Sequence, residues 1–325
     1  MRALTAALRR VVYALVLILV VIVFNFTLIH LAPGDPADVI AGEMGGASPE
    51  LMAQIRHSYG LDQSFLAQLW IYLGKALQGD LGRSYYFNSP VISLVLQRVP
   101  ATLLLVVTAL TAAIVGGTLL GVVASRRPNG IVSHIVTILG LVGFSAPVFW
   151  TGIVLILIFA SAIPIFPVGD MYDVTKAGGS FAARTLDVAH HLILPAVTLA
   201  IVYLAQYSRL ARAAMLEVLN ADYVRTARAK GLPERLVIFK HALRNAMLPI
   251  VTIAGLQFSQ VFAGAVLVEA VFNWPGLGRL AYESILRRDT PTLLGILLGA
   301  AVIVIVVNVL TDLSYRIIDP RIRMS

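Results

Sequence analysis

The sequence predicts an all-α membrane protein of about six transmembrane helices, with its N- and C-termini cytoplasmic. Three observations carry that expectation. Hydrophobic residues make up 58% of the 325 and charged residues only 13%, with a mean hydropathy of +0.86, which leaves too few charges to coat a soluble globule of this size. Six separate runs contain no Asp, Glu, Lys or Arg. The Lys and Arg residues are divided unevenly between the connections of those runs.

At 1.5 Å per residue, roughly 20 apolar residues are needed to cross the hydrocarbon. The charge-free runs are Val11 to Gly34, Val99 to Ser125, Pro128 to Gly169, Val188 to Ser208, Asn245 to Val268 and Thr290 to Thr311. The third is too long for one straight helix. Pro147 predicts a kink in it, and Pro164 with Pro167 an end, leaving a helix over Ile131 to Ala160 and an extended tail. Met1 to His30 has the basic start and apolar core of a secretory signal. Its core is long, however, and Pro33-Gly34-Asp35-Pro36 is a poor small-residue cleavage site, so it is read as the first helix.

Orientation follows from the Lys and Arg count. The side that receives the N-terminus, the Arg126-Arg127 turn, Ser208 to Arg244 and the C-terminus holds 16 of them against 5 acids, and the other side 9 against 12. The first side is therefore cytoplasmic. The formal charge of +8 is explained by topology, and no nucleic-acid partner is expected. Cys is absent, which excludes disulfides, thiolate metal sites and cysteine nucleophiles.

The division that results is an N-terminus and first helix over 1–31, an extracytoplasmic cap segment over 32–98, and a core over 99–325 with five transmembrane helices and a cytoplasmic loop at 208–244. The cap segment carries an aromatic patch (Trp70, Tyr72, Tyr85, Tyr86, Phe87) of the kind found at membrane interfaces. Inside, the loop is the only sizeable structure, because the other inner connection is the tight turn Arg126 to Gly130. It reads as helix, break, helix. Residues Ala213 to Lys230 favour helix, Gly231 supplies a stop, and Pro233 with Glu234 fits the first turn of a second helix running to about Leu243. That second helix sets Leu236, Phe239 and Leu243 on one stripe. Ala227 and Gly231, four residues apart, present a small-residue spot where another surface can approach. Such a hairpin suits docking into a groove of a partner protein or, alternatively, an amphipathic position at the lipid surface.

The stretch Asp222-Tyr223-Val224-Arg225-Thr226-Ala227-Arg228-Ala229-Lys230-Gly231-Leu232, continuing to His241-Ala242-Leu243-Arg244-Asn245, resembles the conserved cytoplasmic loop of binding-protein-dependent ABC importer permeases in the dipeptide, oligopeptide and nickel branch. Pro33 to Pro36, Gly79 to Ser84, Leu194 to Leu199, Gly264 to Glu269, Phe272 to Gly278 and Asp319 to Arg323 are each similar to that branch's pattern, in its order. The likeness is nearest to the first permease of dipeptide and oligopeptide systems. In the wider superfamily the loop carries Glu-Ala-Ala before the glycine and Ile-x-Leu-Pro after it. Aligned on Gly231, this chain has Arg225-Thr226-Ala227, His241 and Leu243-Arg244 at those places, so only Ala227, Gly231 and Leu243 are retained. The departures are of the kind the peptide branch shows.

The resemblance implies a type I ABC importer permease fold and a multi-pass place in a bacterial inner (plasma) membrane. Asp222, Tyr223, Arg225, Thr226, Ala227, Arg228, Ala229, Lys230, Gly231, Leu232 and Pro233 would form the loop that couples to an ATPase. Implied partners are a second homologous permease, two cytoplasmic ATPase domains, an extracytoplasmic peptide-binding protein and membrane lipid. The chain would bind no cofactor itself, ATP and Mg residing on the ATPase subunits, and its cargo would be dipeptides or oligopeptides. Nickel and glutathione-like solutes are the alternatives within the family; a self-contained channel or a membrane scaffold is the alternative outside it.

The residues agree with that division of labour. No Gly-x-x-x-x-Gly-Lys-Ser/Thr phosphate loop occurs, the one Gly-Lys pair, Gly74-Lys75, being followed by Ala76. No ionisable residue of the kind used by proton- or sodium-coupled carriers lies inside a charge-free run. The six His do not converge on a metal site, and no nucleophile, base and orienter can be assembled, so no catalytic residue is expected. Asn245, Gln257 and Gln260 either line a passage or bond between helices. Gly255, Ser259 and Ala263 recur every four residues, as close helix packing requires.

Overall fold

The computed structural model describes residues 2–31, 37, 41, 48–58, 60–176 and 178–318. Twelve helices follow one another among them: α1 (Arg2–Leu31), α2 (Pro49–Ser58), α3 (Phe65–Leu77), α4 (Val91–Arg126), α5 (Ile131–Ser145), α6 (Val148–Ile156), α7 (Phe181–Leu219), α8 (Asp222–Ala229), α9 (Glu234–Leu236), α10 (Leu243–Val271), α11 (Leu277–Leu286) and α12 (Thr290–Ile318). A π-turn, Leu157–Ala162, extends α6, and another, Val237–Ala242, joins α9 to α10. The described residues form no sheet, only one isolated bridge between Arg83 and Pro90.

Four helical stretches are long and apolar enough to cross a membrane: Val91–Arg126, Phe181–Leu219, Glu234–Val271 and Thr290–Thr311. The bent pair α5 and α6 makes a fifth if counted as one span. Residues 11–31 of the first charge-free run lie on α1, a helix of 30 residues whose described apolar stretch is Leu15–Leu28. Spans and runs do not coincide in length. Helix α7 has 39 residues, about 58 Å at 1.5 Å each, so it carries Asp187 and Arg212 at ends that project beyond the hydrocarbon.

The third run departs from expectation. Pro147 does not kink one helix but ends it: Ala146 is extended at φ −79°, ψ 134°, and the chain bends by 104° before α6. A residue before proline is pushed out of the helical region by the Pro ring, and here Pro147 then serves as the N-cap of α6 at ψ 135°. The helix ends at Ala162, as Pro164 and Pro167 predict, but the tail beyond it is not extended: it bends repeatedly, and the Ile165 and Phe166 N–H groups turn back to the Phe159 carbonyl at 3.0 Å.

Two compact units divide the chain, Met1–Pro100 with Arg279–Val307, and Ala101–Gly278 with Asn308–Ser325. In the second, α7 is the central helix, packed against α5, α6 and α10. Lipid tails are as apolar as the side chains, so helices in a membrane associate through close van der Waals fit rather than expulsion of water. Glycine provides that fit. A Cβ on Gly117 would lie 2.6 Å from Tyr207 Cβ and 2.7 Å from the Leu204 carbonyl, and one on Gly121 2.6 Å from both Ala211 Cβ and the Ser208 carbonyl. Helices α4 and α7 therefore touch backbone to backbone. In the first unit, a Cβ on Gly295 of α12 would collide with Val91 of α4.

Gly117→Ala and Gly121→Ala are each expected to destabilise the protein by about 1–3 kcal/mol, the usual cost of overpacking. Gly116→Ala, whose Cβ would meet only the mobile Leu204 Cδ1 at 3.2 Å, should cost far less. Thermal unfolding in detergent, followed by fluorescence-detected size exclusion, distinguishes the three.

Candidate functional site

The loop expected to be cytoplasmic is built at the end of α7. Instead of running from Ala213 to Lys230, the predicted helix is interrupted: Asn220 closes α7 at φ −90°, ψ −5°, and Ala221 is extended at φ −73°, ψ 148°. The interruption lets α8 turn its apolar side inward. Val224 and Ala227 are buried there with Val237, against Val218, Leu219 and Leu232. Asp222 occupies the first turn of α8 and Arg228 the last, each at the favourable end of the helix dipole.

Gly231 ends α8 at φ +74°, the left-handed region that glycine enters without strain. The Leu232 N–H donates to the Ala227 carbonyl at 3.4 Å and the Gly231 N–H to the Arg228 carbonyl at 2.9 Å. Those two bonds, with the Leu232 contact on Ala227, make a Schellman cap.

The second helix does not stop near Leu243. It continues as α10 to Val271 through the π-turn, whose i→i+5 bonding shifts the helical register. Consequently the predicted stripe is divided. Val237, Ile238 and Ala242 are buried, Ile238 and Ala242 against Met215 and Val122, while Leu236 and Phe239 are exposed.

Two polar contacts fasten α8 from outside. Asn245 Nδ2 donates to the Tyr223 hydroxyl at 2.7 Å, and Arg228 donates to both carboxylate oxygens of Glu234 at 2.8 and 3.2 Å. This hydrogen bond raises the Arg228 pKa. Both partners are 42–50% exposed, so the pair contributes at most about 1 kcal/mol. Of the residues singled out in the loop, Asp222, Tyr223, Arg225, Thr226, Arg228, Ala229, Lys230, Gly231 and Pro233 face outward. Ala227 does not; it is turned into the hairpin at 6% exposure, so the small-residue spot at the tip is Gly231 alone.

Asn245 is thus a fastening of the loop. Gln257 is buried in α10 and its Nε2 donates to Gln260 Oε1 at 2.9 Å and to Gln206 Oε1 of α7 at 3.2 Å. Sequence reasoning passed over Gln206, although its place in the fourth apolar run marked it as readily as the other two.

A second polar centre lies at the far end of α10 and was recognised in the sequence only as part of a motif. Glu269 is fully buried. Thr102 Oγ1 donates to its Oε1 and the Gly278 N–H to its Oε2, both at 2.6 Å, while the Leu277 N–H donates to Thr102 Oγ1 at 2.8 Å. The buried Trp274 indole donates to the Ala101 carbonyl at 2.9 Å. Side chains on Gly276 or Gly278 would strike the carboxylate, which accounts for both glycines. The signal available was an acid directly after the apolar run Asn245 to Val268.

Nearby, Asp170 accepts a short bond from Asn273, and the Asp170 N–H donates to the Phe272 carbonyl at 2.9 Å. Asp187 at the start of α7 accepts from Lys176 Nζ at 3.0 Å and from the Asp173 N–H at 2.7 Å, and the Asp187 carboxylate raises the Lys176 pKa. Among the described residues no group of three or more His, Asp or Glu is placed to hold a metal ion.

The family described as "Binding-protein-dependent transport system inner membrane component" matches residues 117–324, and its N-terminal counterpart matches residues 3–106. The chain belongs to the binding-protein-dependent transport permeases. It is 41% identical over 316 residues to the di/tripeptide transport system permease protein DppB of Pseudomonas aeruginosa, covering 93% of this chain and 94% of that one. The dipeptide transport system permease protein DppB of Escherichia coli K12 is 41% identical over 315 residues, with 92% and 93% covered. The oligopeptide transport system permease protein AppB of Bacillus subtilis is 37% identical over 316 residues, with 97% and 98% covered. A chain of the methionine ABC transporter MetNI, in inward-facing conformations, superposes with a TM-score of 0.55 at 18% identity, over 70% of this permease and 97% of that chain. The importer-permease fold expected from the sequence is therefore the fold found.

Val224→Asp places a carboxylate without a partner in the closed apolar contact under α8. An uncompensated buried charge costs about 3–5 kcal/mol, so α8 should detach and tryptic cleavage within 225–230 should accelerate roughly 100-fold or more. Arg228→Ala, which removes an exposed ion pair, should change cleavage at the remaining sites only slightly. Timed trypsin digestion of the purified permease reads both.

Proposed function

We propose that this permease is a membrane subunit of an ATP-driven importer of dipeptides or oligopeptides, and that Asp222 to Pro233 is its contact with a cytoplasmic ATPase. The full-length likeness to permeases named for di- and tripeptide, dipeptide and oligopeptide transport supports the cargo. One observation carries the coupling role: α8 is a short helix pinned by a buried apolar seam, whose outward side is polar and whose tip is the open, left-handed Gly231.

In this reading the charge asymmetry places α8 in the cytoplasm of a bacterium and residues 32–98 outside its inner membrane. A binding protein delivers the peptide, and a second homologous permease completes the enclosure. Two ATPase domains, holding ATP and Mg, close on each other and move α8, which switches the pore between outward and inward states. The permease contributes passage and coupling, and ATP hydrolysis belongs to the partners.

Gly231 gives the sharpest test. Asn tolerates the left-handed conformation whereas Trp adds both strain and bulk at the tip. Gly231→Asn is expected to retain most uptake of a labelled dipeptide by whole cells, and Gly231→Trp to abolish it with unchanged permease in the membrane fraction. Normal uptake by the Trp variant would remove the docking role from the loop. Uptake unaffected by deletion of the whole gene would remove the peptide cargo.

A further inference from the structure

The helix α3 in the segment between α1 and α4 has no function in the reading above, and its chemistry is unusual for a helix outside the hydrocarbon. Its sequence, Phe-Leu-Ala-Gln-Leu-Trp-Ile-Tyr-Leu-Gly-Lys-Ala-Leu, contains no acid and one cation. Its 13 residues reach about 20 Å, too short to span a bilayer. One side packs on the end of α1: Phe26 lies 5.5 Å from Phe65 and 5.6 Å from Tyr72, ring centre to ring centre, and His30 Nε2 shares a hydrogen bond of 3.0 Å with Gln68 Oε1. Leu73 is buried.

The other side is equally apolar but uncovered. Leu66 is 66% exposed, Trp70 74% and Leu77 85%; at helical spacing these three fall on one stripe, and the rest of the exposed face turns through Ile71 to Lys75, which lies roughly 140° or more around the helix from the stripe. An exposed apolar stripe of this kind calls for an apolar environment against it.

We infer that α3 lies in the plane of the lipid interface, with Leu66, Trp70 and Leu77 in the outer leaflet of the phospholipid bilayer. The partner is the membrane surface, on two grounds. First, α3 is fastened to the end of α1, whose Leu15, Val16, Leu17, Leu19, Val20 and Phe24 are all about half exposed or more and point in several directions around the helix, as in a lipid-facing span. The bare stripe on α3 thus continues a surface that already faces lipid. Second, the stripe carries an indole, the amphipathic ring that settles at headgroup depth, while the one cation of the helix, Lys75, lies on the opposite side, where its ammonium reaches phosphate or water above the stripe. The consequence is that α3 fixes the depth of the segment before α4. The inference depends on α1 crossing the membrane, and not on cargo or ATPase contact.

The protein has no cysteine, so a single introduced thiol carries a single label. Leu66→Cys, Trp70→Cys and Leu77→Cys, each spin-labelled, would be examined in the full chain reconstituted into phosphatidylethanolamine and phosphatidylglycerol vesicles, and in the complex isolated from its own membrane. Gln54→Cys and Gln63→Cys, in the same segment, serve as controls. At 66, 70 and 77, collisions with dissolved oxygen should exceed those with a water-soluble nickel chelate, and at the two controls the order should reverse. Chelate collisions at 66, 70 and 77 equal to those at the controls would place the stripe in water and overturn the inference. Labels reached by neither quencher in the complex would mean that protein covers the stripe, which overturns it equally. Loss of dipeptide uptake as an activity would leave this result unaffected.

Discussion

A backbone that leaves water must satisfy its own N–H and C=O groups, and nearly every feature of this permease follows from where that is achieved and where it fails. Inside the apolar runs the chain is largely helical, and several of the hydroxyls that occur there turn back on their own helix, as Thr198 does to the Leu194 carbonyl at 2.8 Å and Thr137 to Ser133 at 2.8 Å. The break at Ala146-Pro147 obeys the same constraint. The Ala146 N–H still reaches the Val142 carbonyl at 3.2 Å, and the Pro147 carbonyl accepts from the Thr151 N–H at 3.1 Å, so the bend leaves those groups paired. With backbone polarity consumed internally, association falls to close packing, and the glycines of α4 set how near α7 can come.

The buried acids lie near the junctions, where helices end and main-chain donors become free. Glu269 and Asp289 are both buried, and both take up such donors. Asp289 accepts from the Ser84 hydroxyl, from the Tyr85 N–H at 3.1 Å and from Thr292 Oγ1 at 2.7 Å. Each carboxylate replaces water for backbone that has left a helix. Deleting one side of such an arrangement leaves desolvated partners behind, which costs more than the bond itself contributes. The acids are therefore structural centres of their turns, and the glycines at 276 and 278 are small because the carboxylate occupies the space a side chain would need.

The sequence announced what depends on composition and concealed what depends on register. Apolar runs, the loop after α7, the Gly231 stop and the helix end before Pro164 were legible because each is local: a span needs length, a cap needs a residue that tolerates positive φ. The π-turn at Val237–Ala242 was not, since nothing in its residues marks an i→i+5 bond, and the stripe Leu236, Phe239, Leu243 was consequently drawn with the wrong period. Ala227 was misassigned for a related reason. An alanine fits both a docking tip and a buried seam, and only the turn at Asn220-Ala221, imposed by burial of Val224, decides between them. Asn245 was legible as polar but not as the partner of Tyr223, 22 residues away in sequence.

The fastening of α8 also bears on the coupling role proposed for it. Its strong attachment is the apolar seam to Val237, at the start of a helical stretch that runs unbroken to Val271; its exposed ion pair is weak. On that proposal a displacement of α8 would be delivered to α10 rather than dissipated in the loop, and the first element it would meet is the π-turn, where the helical bonding is wider than elsewhere. From there α10, with Pro249 inside it, leads to the Gln257, Gln260 and Gln206 contact with α7 and ends near Glu269, whose bonds to Thr102 and Gly278 join α10 to α4 and to the start of α11. Each end of the path is thus set in a junction that resists local distortion, and the compliance lies between them. Motion imposed at α8 would accordingly be taken up at the π-turn and at Pro249 before it reaches the Glu269 junction.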